Sequence, residues 1–293
     1  YSLVTPVKDE PISLRQADGS LWSPENYDHK SHGELPLIDA LIHSYNQATV
    51  QVGLNIGVAN LVRKIKQLGI EADIPAVPST FLGAVELTPL EVAQIYQSLA
   101  ADGYSVPLRS VTAVLTPHGE LLGRYPLRLM PLKQREAVAL LNFALTQVVE
   151  QGTARRLHGL LGNDALIAGK TGTTNERRDS WFVGYTGDRV AVTWVGLDDN
   201  RPAGVTGSNA AMPLWARLFT HLPIKPVDLR MPDGANFVWV DKQLAALTDP
   251  SCDNAEQIPF IEGTEPASTT RCLDRLENSN RKSLWRKWFE RKD

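Results

Sequence analysis

No apolar run in this 293-residue chain approaches the roughly eighteen residues that would cross a bilayer as a helix, so no membrane span is expected within it. A signal-peptide pattern is missing as well. The chain opens on Tyr1 rather than Met, and it is expected to be a piece of a longer protein whose anchor or export signal lies elsewhere. Positive charge is not in excess: 30 Lys and Arg against 33 Asp and Glu leave a net charge of −3, which argues against nucleic acid as the main partner. There is no internal repeat. Metal-ligand spacing is nearly absent, since His29 and His32 have helical spacing but no third ligand nearby, and a solvated loop is expected there rather than a metal site. Cysteine is scarce too. The two present, Cys252 and Cys272, lie in a Pro-, Ser- and Thr-rich stretch. Paired, they would close a short loop, add about 3 kcal/mol and fit an oxidising compartment; the alternative is two unrelated thiols.

What is present begins with 43% hydrophobic residues, enough for one large core with appendages. The most informative string is Gly169-Lys170-Thr171-Gly172-Thr173-Thr174. A phosphate loop would need an earlier glycine where Asp164 stands, and the residues after Thr171 are poor helix formers, so nucleotide binding is set aside and no cofactor is expected. The other chemistry that uses Lys-Thr-Gly is serine acyl transfer on D-alanyl peptides and β-lactams. There the motif lies on an edge strand, a substrate pairs alongside it, and the glycine admits close approach. The flanks favour strands: Ala165–Ala168 leads in, and Ser180–Tyr185 and Val190–Gly196 follow as apolar, aromatic and β-branched runs joined by the turn residues Thr186–Arg189. A plain three-stranded antiparallel sheet would show the same runs.

Four blocks organise the chain. Residues 1 to about 35 read as loop and short strand, with turn signals at 17–20 and 23–24. From Leu37 to Gln151 the pattern is helical. Its clearest helix starts with a capping box at Thr88-Pro89-Leu90-Glu91, is expected to bury Val92, Ile95, Tyr96 and Leu99, and stops at Asp102-Gly103. Another runs from about Pro131 to Glu150. The strands around Lys170 form the third block, closed by a helix from about Ser208 to His221. The fourth, from about Pro226, predicts a hairpin over Val227–Val240 around Asp233-Gly234, then a polar tail.

Acyl transfer of this class also needs a Ser-x-x-Lys nucleophile and a Ser-x-Asn triplet. Ser44-Tyr45-Asn46 supplies the triplet at a junction between apolar helical stretches, although such a triplet alone is most often just a helix end. It precedes Lys170 by more than a hundred residues of helical pattern, as a helical lobe before the sheet requires. Together with Leu82–Ala93, Val148–Thr153, Lys170–Tyr185 and Trp194–Asn200, these strings resemble the C-terminal part of the transpeptidase domain of class A penicillin-binding proteins, most like the 1b type, over roughly residues 1 to 222.

The departure is the nucleophile. The one Ser-x-x-Lys string, Ser279–Lys282, lies after the sheet in a charged tail, in the wrong order. The expectation is therefore a chain cut just downstream of the nucleophile segment. The resemblance implies an α/β fold of the penicillin-binding, serine β-lactamase-like kind, with an antiparallel sheet against helices and the N-terminal strands and nucleophile helix missing. It implies a partial transpeptidase domain over 1–225, a hairpin extension over 226–250 and a polar, basic tail over 251–293. It further implies a parent that cross-links peptidoglycan stem peptides through a serine acyl-enzyme, binds β-lactams, carries a glycosyltransferase domain and is anchored at the periplasmic face of the inner membrane. In that setting Ser44 relays a proton to the leaving amine, Asn46 holds the substrate amide and the nucleophile lysine, and Lys170 favours the substrate carboxylate. Thr171, Gly172, Thr173 and Thr174 line the substrate strand, with the Thr173 hydroxyl on the ligand carboxylate and its N–H as an oxyanion donor. Alternation along a strand puts Lys170 and Gly172 on one face and Thr171 and Thr173 on the other, so a local twist is expected to bring Thr173 round. Two other readings stay open. A serine β-lactamase commonly has Asp where Tyr45 stands, and a non-catalytic peptidoglycan- or partner-binding module would need no serine.

Lesser features are given bland readings. Asp198-Asp199 is expected to be a solvated turn, and Glu176–Asp179 a charged loop beside the cleft. The tail from Arg271 to Asp293 counts eight Lys and Arg against four Asp and Glu, with Trp285, Trp288 and Phe289 at helical spacing; a solvated tail is favoured over a membrane-surface helix. Stripped of preceding strands, the chain is expected to be poorly stable alone.

Overall fold

The computed structural model describes residues 1–16 and 18–275. The chain enters through β1 (Pro6–Asp9), β2 (Leu14–Arg15), β3 (Leu21–Trp22) and β4 (Gly33–Pro36), and β4 returns antiparallel to β1 with Val7 opposite Leu35. A helical run follows: α1 (Leu37–His43), α2 (Asn46–Ile56), α3 (Val58–Gln67), a 3-10 turn at Pro78–Leu82, and α4 (Pro89–Ala100). The capping box at the start of α4 is formed, with Thr88 and Glu91 satisfying one another's backbone N–H. Its apolar face is only half-buried, contrary to expectation; Tyr96 and Leu99 pack beside Leu145, Ala168, Tyr185 and Val227.

Helical pattern does not persist to Gln151. Between α4 and the next helix the chain makes β5 (Tyr104–Ser105), β6 (Ala113–Leu115), β7 (Leu121–Arg124) and β8 (Met130–Pro131), pairing β5 with β8 and β6 with β7. Pro107, Pro117, Pro126 and Pro131 each remove a backbone donor that a helix would need, and β-branched Val106, Val111 and Val114 favour extended backbone. The next helix, α5 (Arg135–Glu150), therefore starts after Pro131, and α6 (Leu157–Leu161) follows it.

The main sheet is as its residues predict: β9 (Ala168–Thr173), β10 (Ser180–Tyr185) and β11 (Val190–Val195) pair antiparallel in the order β11-β10-β9, with Lys170 opposite Val183 and Gly172 opposite Trp181. β9 is an edge strand among the described residues. After a π-turn at Gly207–Ala211, α7 (Met212–Phe219) lays Trp215 against the sheet, stacked on Phe219 at 3.8 Å between ring centres and edge-on to Phe182 at 5.5 Å. All three rings are buried, and such pairs add about 0.5–1.5 kcal/mol each beyond their area.

The C-terminal part differs from its sequence pattern. Residues 227–234 form no strand. Instead β12 (Ala235–Asp241) begins just after Gly234 and pairs along its whole length with β14 (Ala255–Ile261), with β13 (Ala246–Leu247) on its other side. Asp233-Gly234 is thus a turn into a strand rather than the tip of a hairpin: Val227 to Met231 alternate apolar and polar, but Pro226 and Pro232 bracket this short run and remove a ladder donor at each end. This sheet straddles residues 250 and 251, so residues 251–261 are built structure and not polar tail. Cys252 and Cys272 are bridged, with Cα atoms 6.0 Å apart. Ala235, Val240, Ile258 and Phe260 pack with Ile38 and Ile42 of α1 and Leu140, Phe143 and Ala144 of α5. Leu41 of α1 touches both this cluster and the one under Trp215, so α1 is wedged between the two cores. No helix among the described residues is long and apolar enough to cross a membrane.

Candidate active site

Helix α1 ends in a left-handed residue that is not glycine: Ser44 has φ 58° and ψ 46°. The Ser44 and Tyr45 N–H groups turn back onto the carbonyls of Leu41 and Ala40, at 3.2 and 2.9 Å. Holding a serine there costs on the order of 1–3 kcal/mol, a strain that persists because both flanking helices fix the turn. It leaves the Ser44 hydroxyl facing β9. Across 126 residues of sequence, the Lys170 ammonium donates a hydrogen bond to Ser44 Oγ and another, 3.1 Å long, to the Thr171 carbonyl. Lys170 keeps part of its surface open to solvent, yet protein crowds its ammonium closely enough that burial pushes its pKa down to about 8. Because the ammonium donates to Ser44 Oγ, the serine's own proton is free to be donated elsewhere.

The opposite side of β9 is pinned from below. Thr171 and Thr153 hydroxyls meet at 2.8 Å, and the Thr153 N–H bonds the Ile42 carbonyl at 3.2 Å. Gly152 makes this possible: a Cβ there would lie 2.4 Å from the Ile42 carbonyl oxygen and 2.9 Å from Val148 Cα. The end of α5 thereby joins the last turn of α1, just before Ser44, to the strand carrying Lys170. At the far end of β9 the Thr173 hydroxyl accepts from Gly207 N–H at 3.0 Å. It keeps a proton to give to a ligand. Thr174 is engaged differently, accepting from Asp179 N–H at 2.8 Å and donating to the Asp179 carboxylate at 3.2 Å. Its hydroxyl closes the β9–β10 connection instead of standing free.

Asn46 opens α2, whose own preceding residue, Tyr45, provides no side-chain cap. The cap is imported. Asn26 Oδ1 accepts from the N–H groups of Asn46 and Gln47 at 2.7 and 3.3 Å, and Asp9 Oδ1 accepts from Ala48 N–H at 3.0 Å. Three of the four orphan donors of the first turn are satisfied this way, and a carboxylate sits at the positive end of the helix. The Asn46 side chain donates its NH2 to the Glu25 carbonyl at 2.7 Å, so it does not join the Ser44–Lys170 pair directly.

The sequence profile of the family described as penicillin binding protein transpeptidase domain matches residues 5–219. The chain belongs to that family. Among penicillin-binding relatives it is 37% identical over 266 residues to penicillin-binding protein 1B of Vibrio cholerae, covering 90% of this chain and 34% of the relative. It is likewise 37% identical over 244 residues to penicillin-binding protein 1B of Escherichia coli, covering 82% of this chain and 29% of that protein. The chain thus spans about a third of the length of the curated relatives it matches. The crystal structure of penicillin-binding protein 1A from Haemophilus influenzae superposes with a TM-score of 0.80 over 92% of this chain at 23% identity, and shows the fold.

Within this penicillin-binding fold, Ser44 and Lys170 are brought together as expected, and Thr171 to Thr173 lie on the edge strand beside them. Four residues went unread. Asp9 and Asn26 act over tens of residues and leave no local pattern; Thr153 was visible only inside a resembling string; Gly207 carries no signal of its own. His32 is held between Asp9, at 2.8 Å, and Asp28, at 3.1 Å, and no group of His, Cys, Asp and Glu among the described residues could hold a metal. Asp199 pairs with Arg201, and Glu176 with Arg178 on an exposed loop. Ser279–Lys282 and the aromatic residues Trp285, Trp288 and Phe289 lie outside the described residues.

Proposed function

We propose that this chain supplies two walls of a peptidoglycan D,D-transpeptidase site within a larger, bifunctional class A penicillin-binding protein. The third wall, a serine activated by a lysine of its own helix, would come from the rest of that protein. The observation that carries the reading is the hydrogen bond from Lys170 to Ser44, which joins two motifs remote in sequence beside the open edge of β9.

The chemistry follows from these groups. A stem peptide ending in D-Ala-D-Ala pairs along β9, its terminal carboxylate drawn to Lys170 and to the Thr173 hydroxyl. The serine oxygen, its proton passing to the lysine of its own helix, adds to the penultimate D-Ala carbonyl, while the Thr173 N–H supports the developing oxyanion. The C–N bond then breaks. Ser44 gives its proton to the departing D-Ala amine and is resupplied by the Lys170 ammonium, whose lowered pKa makes it a willing donor. An amine from a neighbouring stem attacks the ester carbonyl and passes its proton through Ser44 back to Lys170; the C–O bond of the ester breaks, the cross-link forms, and the serine oxygen regains its proton from the lysine of its own helix. β-Lactams, which mimic D-Ala-D-Ala, would acylate the same serine. Gly172 keeps the strand open to the ligand, and Thr174 shapes the loop beyond it. The full protein would carry its membrane anchor and glycosyltransferase outside this chain, with the present part in the periplasm.

The test uses the full-length protein and a stem pentapeptide substrate. One D-Ala should be released for each cross-link formed, and penicillin should block both. Absence of D-Ala release together with absence of covalent penicillin labelling would point to the non-catalytic module; rapid turnover of nitrocefin would point to a hydrolase.

A further inference from the structure

The Ser44–Asn46 turn is held from outside by a segment that the chemistry above does not use. Asp9 is fully buried and Asn26 is 2% exposed. Asp9 Oδ2 accepts from Asn26 Nδ2 at 2.7 Å, from His32 N–H at 2.9 Å and from His32 Nδ1 at 2.8 Å, while its Oδ1 takes the Ala48 N–H. A buried carboxylate with four donors is fixed in place, and it fixes what donates to it. Asn26 is therefore locked by its Nδ2, which also donates to the Lys30 carbonyl at 2.7 Å. Its Oδ1 can then point only at the start of α2.

Two consequences reach the cleft. The first is the position of Asn46: its backbone is held by Asn26, and its side chain by the carbonyl of Glu25, the residue next to Asn26. A backbone carbonyl can only accept, so the Asn46 NH2 must face it, and the amide oxygen is the end left for an ammonium or a substrate N–H. The second is the position of Tyr45, whose ring stacks on His32 at 4.0 Å between centres, 18° from parallel. Ser-Tyr-Asn is thus gripped at its second and third residues by one loop anchored on Asp9, while α1 and Lys170 hold the first.

We propose that Asp9 and Asn26 are positioning residues for acyl transfer, acting through Asn46: they set the register of the turn and the orientation of its amide. The proposal rests on the transpeptidase reading above.

The experiment measures the acylation rate of the full-length protein by a fluorescent penicillin, for Asn26→Ala, Asn46→Ala and the double variant. Each variant is first checked for folding by thermal melting and for an unchanged circular dichroism spectrum. Displacing the turn by even about 1 Å should slow acylation on the order of 100-fold, and Asn26→Ala is expected to fall by 10- to 100-fold. If Asn26 acts through Asn46, the double variant is no slower than the slower single one. A folded Asn26→Ala protein with the wild-type rate, or a double variant whose loss is the product of the two singles, overturns the proposal. Should Asn26→Ala fail to fold, His32→Ala serves in its place. His32 is partly exposed, and its removal deletes one donor to Asp9 and the stack on Tyr45; a several-fold loss, again not multiplied by Asn46→Ala, is expected. Wild-type acylation by Ser44→Ala would instead overturn the transpeptidase reading itself, whatever Asn26 does.

Discussion

Lys170 sets stability against its proposed role in acyl transfer within a single side chain. Its pKa of about 8 lies below the ordinary lysine value of 10.5, because burial disfavours the charged form. The unfolded chain therefore holds the proton more tightly, and keeping Lys170 charged costs the folded state roughly 3 kcal/mol below pH 8, a cost relieved as pH rises from 8 to 10.5. Lys170→Met is predicted to melt higher than the unaltered protein at pH 7 and to lose penicillin acylation; a lower melting temperature would contradict this. Acylation by the unaltered protein should fall on the alkaline side with a midpoint near 8, as the cation proposed to draw the ligand carboxylate is lost. Arginine stays charged throughout, so Lys170→Arg should abolish that limb whatever its absolute rate. At this scale the sequence was most legible where the chemistry is most restrictive, at Ser44 and Lys170, and least legible at Asp9 and Asn26. Those two reach helix α2 from 39 and 20 residues away. No periodicity records such a bond.

Among the elements, the strands of the main sheet were readable because aromatic and β-branched residues alternate between turn residues, and α4 because its cap is local. The stretch from Tyr104 to Pro131 was misread as helix, although its four prolines argue for short strands. The C-terminal sheet was missed for a different reason: β12 pairs with a strand that begins fourteen residues after it ends, and adjacency suggested the wrong partner. The joint between α5 and α1 offers the sharpest element-level prediction. In Gly152→Ala the new Cβ meets backbone, not a flexible side chain, so the last turn of α1 must move away from α5. A destabilisation of about 1–3 kcal/mol in urea unfolding is expected, together with slowed acylation, since Ser44 follows Ile42 by two residues. Unchanged stability would mean the contact is not held in solution.

For the molecule as a whole, the C-terminal sheet is part of the same core as the turn that bears Ser44. Phe260 is fully buried against α1 and α5, and Phe260→Ala should cost about 3–5 kcal/mol although it lies beyond the matched family region. A loss below 1 kcal/mol would make this sheet an appendage.

The proposed chemistry requires that Ser44 and Lys170 act as a unit on one side of an acyl-transfer cleft. The most direct test is a double-mutant cycle on the rate at which the full-length protein is acylated by labelled penicillin, using Ser44→Ala, Lys170→Ala and both together. Each single change is predicted to lower the rate by at least about 100-fold, and the pair to lower it little further, because residues that act together lose their contribution only once. Near-normal rates in both single variants, or losses that multiply, would contradict it.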